Sequence, residues 1–128
     1  MAARWNPWLV LAGLNGAVFV ALGAYGAHGL GDAPQAQRWF DIALRYHGWH
    51  AVAVLAVALW VPAGTAARWL RIIALALFLI GTILFSGSLY RMALTDLPLF
   101  AGAAPIGGTS FILGWLALAA AGLVRRSA

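Results

Sequence analysis

Ile72-Ile73-Ala74-Leu75-Ala76-Leu77-Phe78-Leu79-Ile80-Gly81-Thr82-Ile83-Leu84-Phe85-Ser86-Gly87-Ser88-Leu89-Tyr90 contains no charged residue, and Arg71 and Arg91 bracket it. Its length is close to the ~20 residues that a helix needs to cross a hydrocarbon core of about 30 Å. Three more charge-free runs lie on either side of it: Trp5–Gly31, Tyr46–Ala67 and Leu97–Val124. The chain is 64% hydrophobic and 9% charged, against roughly 45–50% and about 25% in an ordinary soluble domain. A soluble fold of this size could not hide so much apolar surface, because small domains leave much of their surface exposed. Lipid covers it instead. The reading is an all-α integral membrane protein, a four-helix bundle in one membrane domain.

Helix punctuation sharpens the spans to 7–27, 43–61, 70–90 and 106–124. Asn6-Pro7 is an N-cap followed by a first-turn proline. Pro62-Ala63-Gly64 closes the second span, Thr65 is a candidate cap for the helix leading into the third, and Pro105 opens the fourth. The first run is long and glycine-rich for a signal sequence, so it reads as a retained span. Between the first two spans, residues 34–44 form a short amphipathic helix in the first outer loop. Arg38, Asp41 and Arg45 share one face of it, which turns His47 and His50 toward the bundle. Ala12, Gly16, Gly23 and Ala27 in the first span, and Ser110, Gly114, Ala117 and Ala121 in the fourth, are spaced as packing seams.

Orientation follows from arginine, the only basic residue type other than histidine. Arg4, Arg68, Arg71, Arg125 and Arg126 share one side with no acid. Arg38, Arg45 and Arg91 share the other with Asp32, Asp41 and Asp96. The positive-inside rule places both termini in the cytoplasm of a multi-pass inner-membrane protein. Arginines divided among helix ends make no nucleic-acid stripe, so the lipid bilayer is the expected partner. Without cysteine there is no disulfide, thiolate metal site or cysteine nucleophile.

Polar side chains gather toward the outer half. His28, His50, Ser86, Ser88, Tyr90 and Arg91 frame a candidate polar pocket, because polar groups in a membrane usually face the bundle or a cavity. The competing reading makes them interfacial residues satisfied by water and headgroups. No metal site is expected: His28, His47 and His50 lack a carboxylate or cysteine to complete a shell. A haem between His28 and His50 is conceivable, though generic. Ser86-Gly87-Ser88 lies in a membrane helix, not in the strand-to-helix turn of a nucleophile elbow. The span cores hold no ionisable carboxylate, which argues against a proton-coupled antiporter. Trp115, in mid-span, needs a packing explanation.

The segments Gly23-Ala24-Tyr25-Gly26-Ala27-His28-Gly29-Leu30, Tyr46-His47-Gly48-Trp49-His50-Ala51, Phe85-Ser86-Gly87-Ser88-Leu89-Tyr90 and Ala104-Pro105-Ile106-Gly107-Gly108 together resemble the domain-of-unknown-function 423 family. The resemblance covers almost the whole chain. It implies a small four-span bacterial inner-membrane protein and supplies no activity, cofactor or catalytic residue. Many relatives are expected to carry a glutamine-like residue at position 47, which counts against a His47-dependent metal site. The leading functional expectation is a non-enzymatic accessory or assembly partner without a cofactor, as a homo-oligomer or with another membrane protein. The alternatives are an oligomeric small-molecule or ion channel or transporter, and a haem- or metal-binding redox subunit.

Overall fold

The computed structural model describes residues 4–124. Its elements in chain order are α1 (Pro7–His28), α2 (Pro34–Leu59), α3 (Thr65–Gly81), a π-helical turn (Thr82–Ser86), α4 (Gly87–Thr95) and α5 (Ala103–Leu123). No strand occurs among the described residues. α3, the π-turn and α4 form one continuous rod, Thr65–Thr95, so the bundle has four rods, each long and apolar enough to cross a membrane. The fold is the all-α, four-span membrane bundle that the sequence predicts. The even number of crossings brings the described start and end of the chain to one end of the bundle, here called the terminal end. The other is the far end.

Local chemistry fixes the helix boundaries. Asn6 Oδ1 accepts from the backbone N–H groups of Trp8 (3.1 Å) and Leu9 (3.2 Å), ahead of Pro7 in the first turn. These are donors that a helix start otherwise leaves unpaired. The amphipathic segment and the second span run together as one unbroken helix of 26 residues from Pro34. Its last carbonyls are held by Arg71, whose Nε and Nη2 donate to Val57 O (2.9 Å) and Ala58 O (2.7 Å). The cap expected from Thr65 is not made. Gly64 takes that position at φ 93° without a side-chain bond, and Thr65 is already helical. Asp96 ends α4 in the left-handed region at φ 59°, which a short polar side chain tolerates better than most.

α5 lies tightly against the third rod. Gly81 faces the Phe111 ring, Gly114 faces the Phe78 ring, and Gly107 faces the backbone of Leu84 and Phe85. Ser110 Oγ donates to Leu77 O at 2.7 Å. These contacts extend a core of Val54, Val57, Leu75, Phe78 and Phe111. A second cluster, Phe40 and Ala43 with Leu89 and Tyr90, joins α2 to α4 toward the far end.

α1 is held differently. It packs on α2 far more than on any other helix, with Phe19 over Gly48 and Phe40 over Gly26. Ala12 is its one buried residue. Of the seam expected in this helix, only Ala12 is buried; Gly16 and Gly23 have no atom of another element within 4 Å of where a Cβ would stand. The cause is register. Ala12, Asn15, Phe19, Leu22 and Gly26 follow the helical repeat and meet α2, which leaves Gly16 and Gly23 roughly 60–80° from the centre of that stripe.

Candidate functional site

Because α1 leans on α2 alone, it stands off from the third rod. The gap is a cleft of about 480 Å³ between Leu11, Leu14 and Val18 on one side and Leu79 and Ile83 on the other. This is within the ~300–1,000 Å³ of typical small-ligand sites. Leu11, Leu14, Val18 and Ile83 are also exposed on the outer surface of the bundle, so the cleft opens sideways into the lipid. The π-turn forms part of its wall through Thr82 and Ile83. It arises where Gly87 N–H bonds back to Thr82 O, five residues earlier. Such single π-turns insert one extra residue in a helix and frequently occur at functional sites.

Asn15, His47 and Tyr90 also border the cleft. His47 is 2% exposed and bridges the other two: its Nε2 is 2.9 Å from Asn15 Oδ1 and its Nδ1 is 2.9 Å from the Tyr90 hydroxyl. An amide oxygen only accepts, so the imidazole proton belongs on Nε2, and Nδ1 accepts the Tyr90 O–H. This pattern assigns the Nε2–H tautomer. Phe19 packs edge-on against His47 at 5.5 Å between centroids, and Phe40 against Tyr90 at 5.0 Å. One group is left over. Asn15 Nδ2 is a buried side-chain donor with no partner, and it is the one such atom among the described residues.

The six residues expected to frame a pocket do not converge. His50 lies between α2 and α5, stacked on Phe111 at 3.6 Å. Its Nδ1–H donates to Tyr46 O at 2.7 Å, and its Nε2 accepts from Trp115 Nε1–H at 3.0 Å. Trp115 is in mid-span to make this bond. Ser86 Oγ donates to Ala43 O at 2.9 Å, and Ser88 Oγ accepts from Leu99 N–H at 3.3 Å. His28 and Arg91 are exposed. Of the six, only Tyr90 lines the cleft. The reason is geometric: His47 and His50 are about 60° apart around α2, enough for one to meet α1 and α4 and the other α5. With no water in a bilayer core, serine hydroxyls find backbone partners.

Both nitrogens of His47 and of His50 are thus committed within the chain, and ligation of a metal or haem iron would have to break those bonds. No group of three or more His, Cys, Asp or Glu side chains suited to a metal occurs among the described residues. Asn15 and His47 are the site residues missed by sequence reasoning. The available signal was a lone amide inside an apolar span; its partner is 32 positions away in the chain.

Comparison with known proteins adds a consistent picture. A family model described as "Protein of unknown function (DUF423)" matches residues 22–108. The UPF0382 membrane protein of Haemophilus influenzae is 43% identical over 116 residues, covering 89% of this chain and 91% of its own length. The UPF0382 inner membrane protein YgdD of Escherichia coli strain K12 is 41% identical over 119 residues, covering 91% and 88%. YwdK, a UPF0382 membrane protein of Bacillus subtilis, is 33% identical over 123 residues, covering 89% and 94%. No solved structure matches.

Proposed function

This chain belongs to the DUF423 family of membrane proteins, and we propose that it acts as a non-enzymatic accessory or assembly partner in the bacterial inner membrane. The observation that carries the reading is the uncovered face of α1. Gly13, Gly16 and Gly23 have open space beside them, and small residues let a second transmembrane helix approach closely. The occupant is a transmembrane helix of another chain, either a second copy or a different membrane protein. Purification in mild detergent is then expected to yield a defined homo-oligomer or a stoichiometric partner. Gly16→Leu with Gly23→Leu should disperse it without lowering the thermal unfolding midpoint of the chain itself. A monodisperse, partner-free wild-type protein would overturn the reading.

The same proposal puts both termini in the cytoplasm. Arg4, Arg68 and Arg71 lie at the terminal end without an acid, as the positive-inside rule requires; Arg125 and Arg126 are outside the described residues. The chain has no cysteine, so single cysteines report sidedness cleanly. Asp32→Cys should react with an impermeant maleimide in intact spheroplasts, and Ala66→Cys only after lysis. The reverse pattern would invert the topology. The two alternatives weighed on sequence have less behind them. The cleft opens sideways instead of along the bundle axis, and the ring nitrogens of His47 and His50 are already hydrogen-bonded within the chain.

A further inference from the structure

The lateral cleft combines three features that together specify a ligand class. Its walls are leucine, isoleucine and valine, and its rim faces the lipid. No arginine or carboxylate lines it, so an ionised headgroup would enter without a counter-charge at heavy desolvation cost. Its polar groups are spoken for with one exception. Tyr90 donates to His47, His47 to Asn15 Oδ1, and Thr82 Oγ1 to Phe78 O, while the Asn15 amide nitrogen has no acceptor. Asn15 is roughly 12 Å along α1 from Pro7 at 1.5 Å per residue, well inside the span, where water is not available to complete it.

We propose that this cleft binds an uncharged lipid-soluble molecule, an alkyl chain bearing a carbonyl-type oxygen, which enters sideways from the bilayer and accepts a hydrogen bond from Asn15 Nδ2. The chain lies between Leu11, Leu14 and Val18 and the facing Leu79 and Ile83. The carbonyl meets the amide at the wall. Because that nitrogen is buried, a small rotation of the amide accompanies binding. His47 and Tyr90 act as positioning residues: with Asn15 Oδ1 tied to His47, the N–H₂ end of the amide is the end left for the ligand. The Gly16–Gly23 face is on the opposite flank of α1, so this site does not depend on the accessory reading.

Purified protein in lipid nanodiscs is to be titrated with radiolabelled methyl palmitate, hexadecane and palmitate, and the probe retained per protein measured. Methyl palmitate should be held about tenfold more tightly than hexadecane, the increment of one hydrogen bond to an otherwise unpaired donor. Palmitate should show no advantage over hexadecane. With carbon-13 at its carbonyl, the bound ester should give a hydrogen-bonded infrared band. Asn15→Leu should remove both the band shift and the preference while still retaining hexadecane, which shows that the cleft is intact. Tyr90→Phe, which releases the His47 tautomer that orients the amide, should reduce the ester preference while leaving hexadecane retention unchanged. Equal retention of ester and alkane by the wild type, an ester preference that survives Asn15→Leu, or tighter binding of palmitate would each overturn the proposal.

Discussion

α5 and α1 are both glycine-rich, apolar helices of 21 and 22 residues, yet the bundle uses them in opposite ways. Along α5 the small positions are filled from the facing rod: Gly107 by backbone, Gly114 by the Phe78 ring, Ser110 by a hydrogen bond to Leu77 O. Along α1 the comparable positions Gly13, Gly16 and Gly23 meet nothing. Composition alone does not separate the two cases. What separates them is which stripe of the helix faces a neighbour. Helices immersed in lipid gain little from hydrophobic burial and associate through close packing and interhelical hydrogen bonds. The α5 side has both. The α1 side has two interlocked phenylalanines and one polar bridge, and keeps a cleft.

The strongest test of this contrast is Gly107→Val. A Cβ there runs into the backbone of Leu84 and Phe85, which cannot swing aside as a side chain can. Overpacking of this kind costs about 3 kcal/mol, seen as a lower midpoint of thermal unfolding in detergent. Gly81→Ala should cost less, because its obstacle is the Phe111 ring. Equal, small effects at both positions would mean that α5 does not lie this close to the third rod.

The polar bridge of the α1 side comes next. His47→Leu strands the Tyr90 hydroxyl and the Asn15 oxygen, an expected loss of about 2 kcal/mol for buried groups left unpaired. Adding Tyr90→Phe should recover part of it, since the second change removes a stranded donor. A double-mutant cycle in the same unfolding assay measures that coupling. Strictly additive losses would show that the two side chains do not share a bond. On the α5 side, Trp115→Phe should cost about 1 kcal/mol by leaving His50 Nε2 without its donor, and His50→Leu should abolish that difference.

The spans were legible because a charge-free run of about twenty residues has one economical explanation. The start of α1 was legible for a local reason: Asn6-Pro7 carries its capping chemistry within four residues. The π-turn was not, because nothing in Thr82–Ser86 departs from ordinary helix; the contacts of Ser86 with Ala43 and of Gly107 with Phe85 accompany it across the bundle. The candidate site was legible only by residue type. Histidines, serines and a tyrosine at similar depth suggested one pocket, yet Ser86, Ser88, Tyr90 and His50 each have a separate partner, and His28 is exposed. Rotation of a helix about its axis decides that, and rotation is set by long-range packing. His47 and His50, only about 60° apart around α2, meet different neighbours for this reason.

The smallest expected effect tests the open flank. Gly23→Ala adds a methyl where no atom of another element lies within 4 Å, so no clash opposes it. In the helix interior alanine is favoured over glycine by about 0.5–1 kcal/mol, because glycine loses more backbone freedom on ordering. In a dissociating detergent, where the chain is alone, Gly23→Ala should therefore leave the unfolding midpoint unchanged or raise it slightly. Gly114→Ala, the matched change on the tight flank, should lower it, because its methyl meets the Phe78 ring. The sign of the difference is the informative quantity, since both substitutions carry the same propensity gain and differ only in what the methyl touches. Should Gly23→Ala destabilise the lone chain as much as Gly114→Ala, α1 packs against this chain's own helices on its glycine face, and that flank is not open.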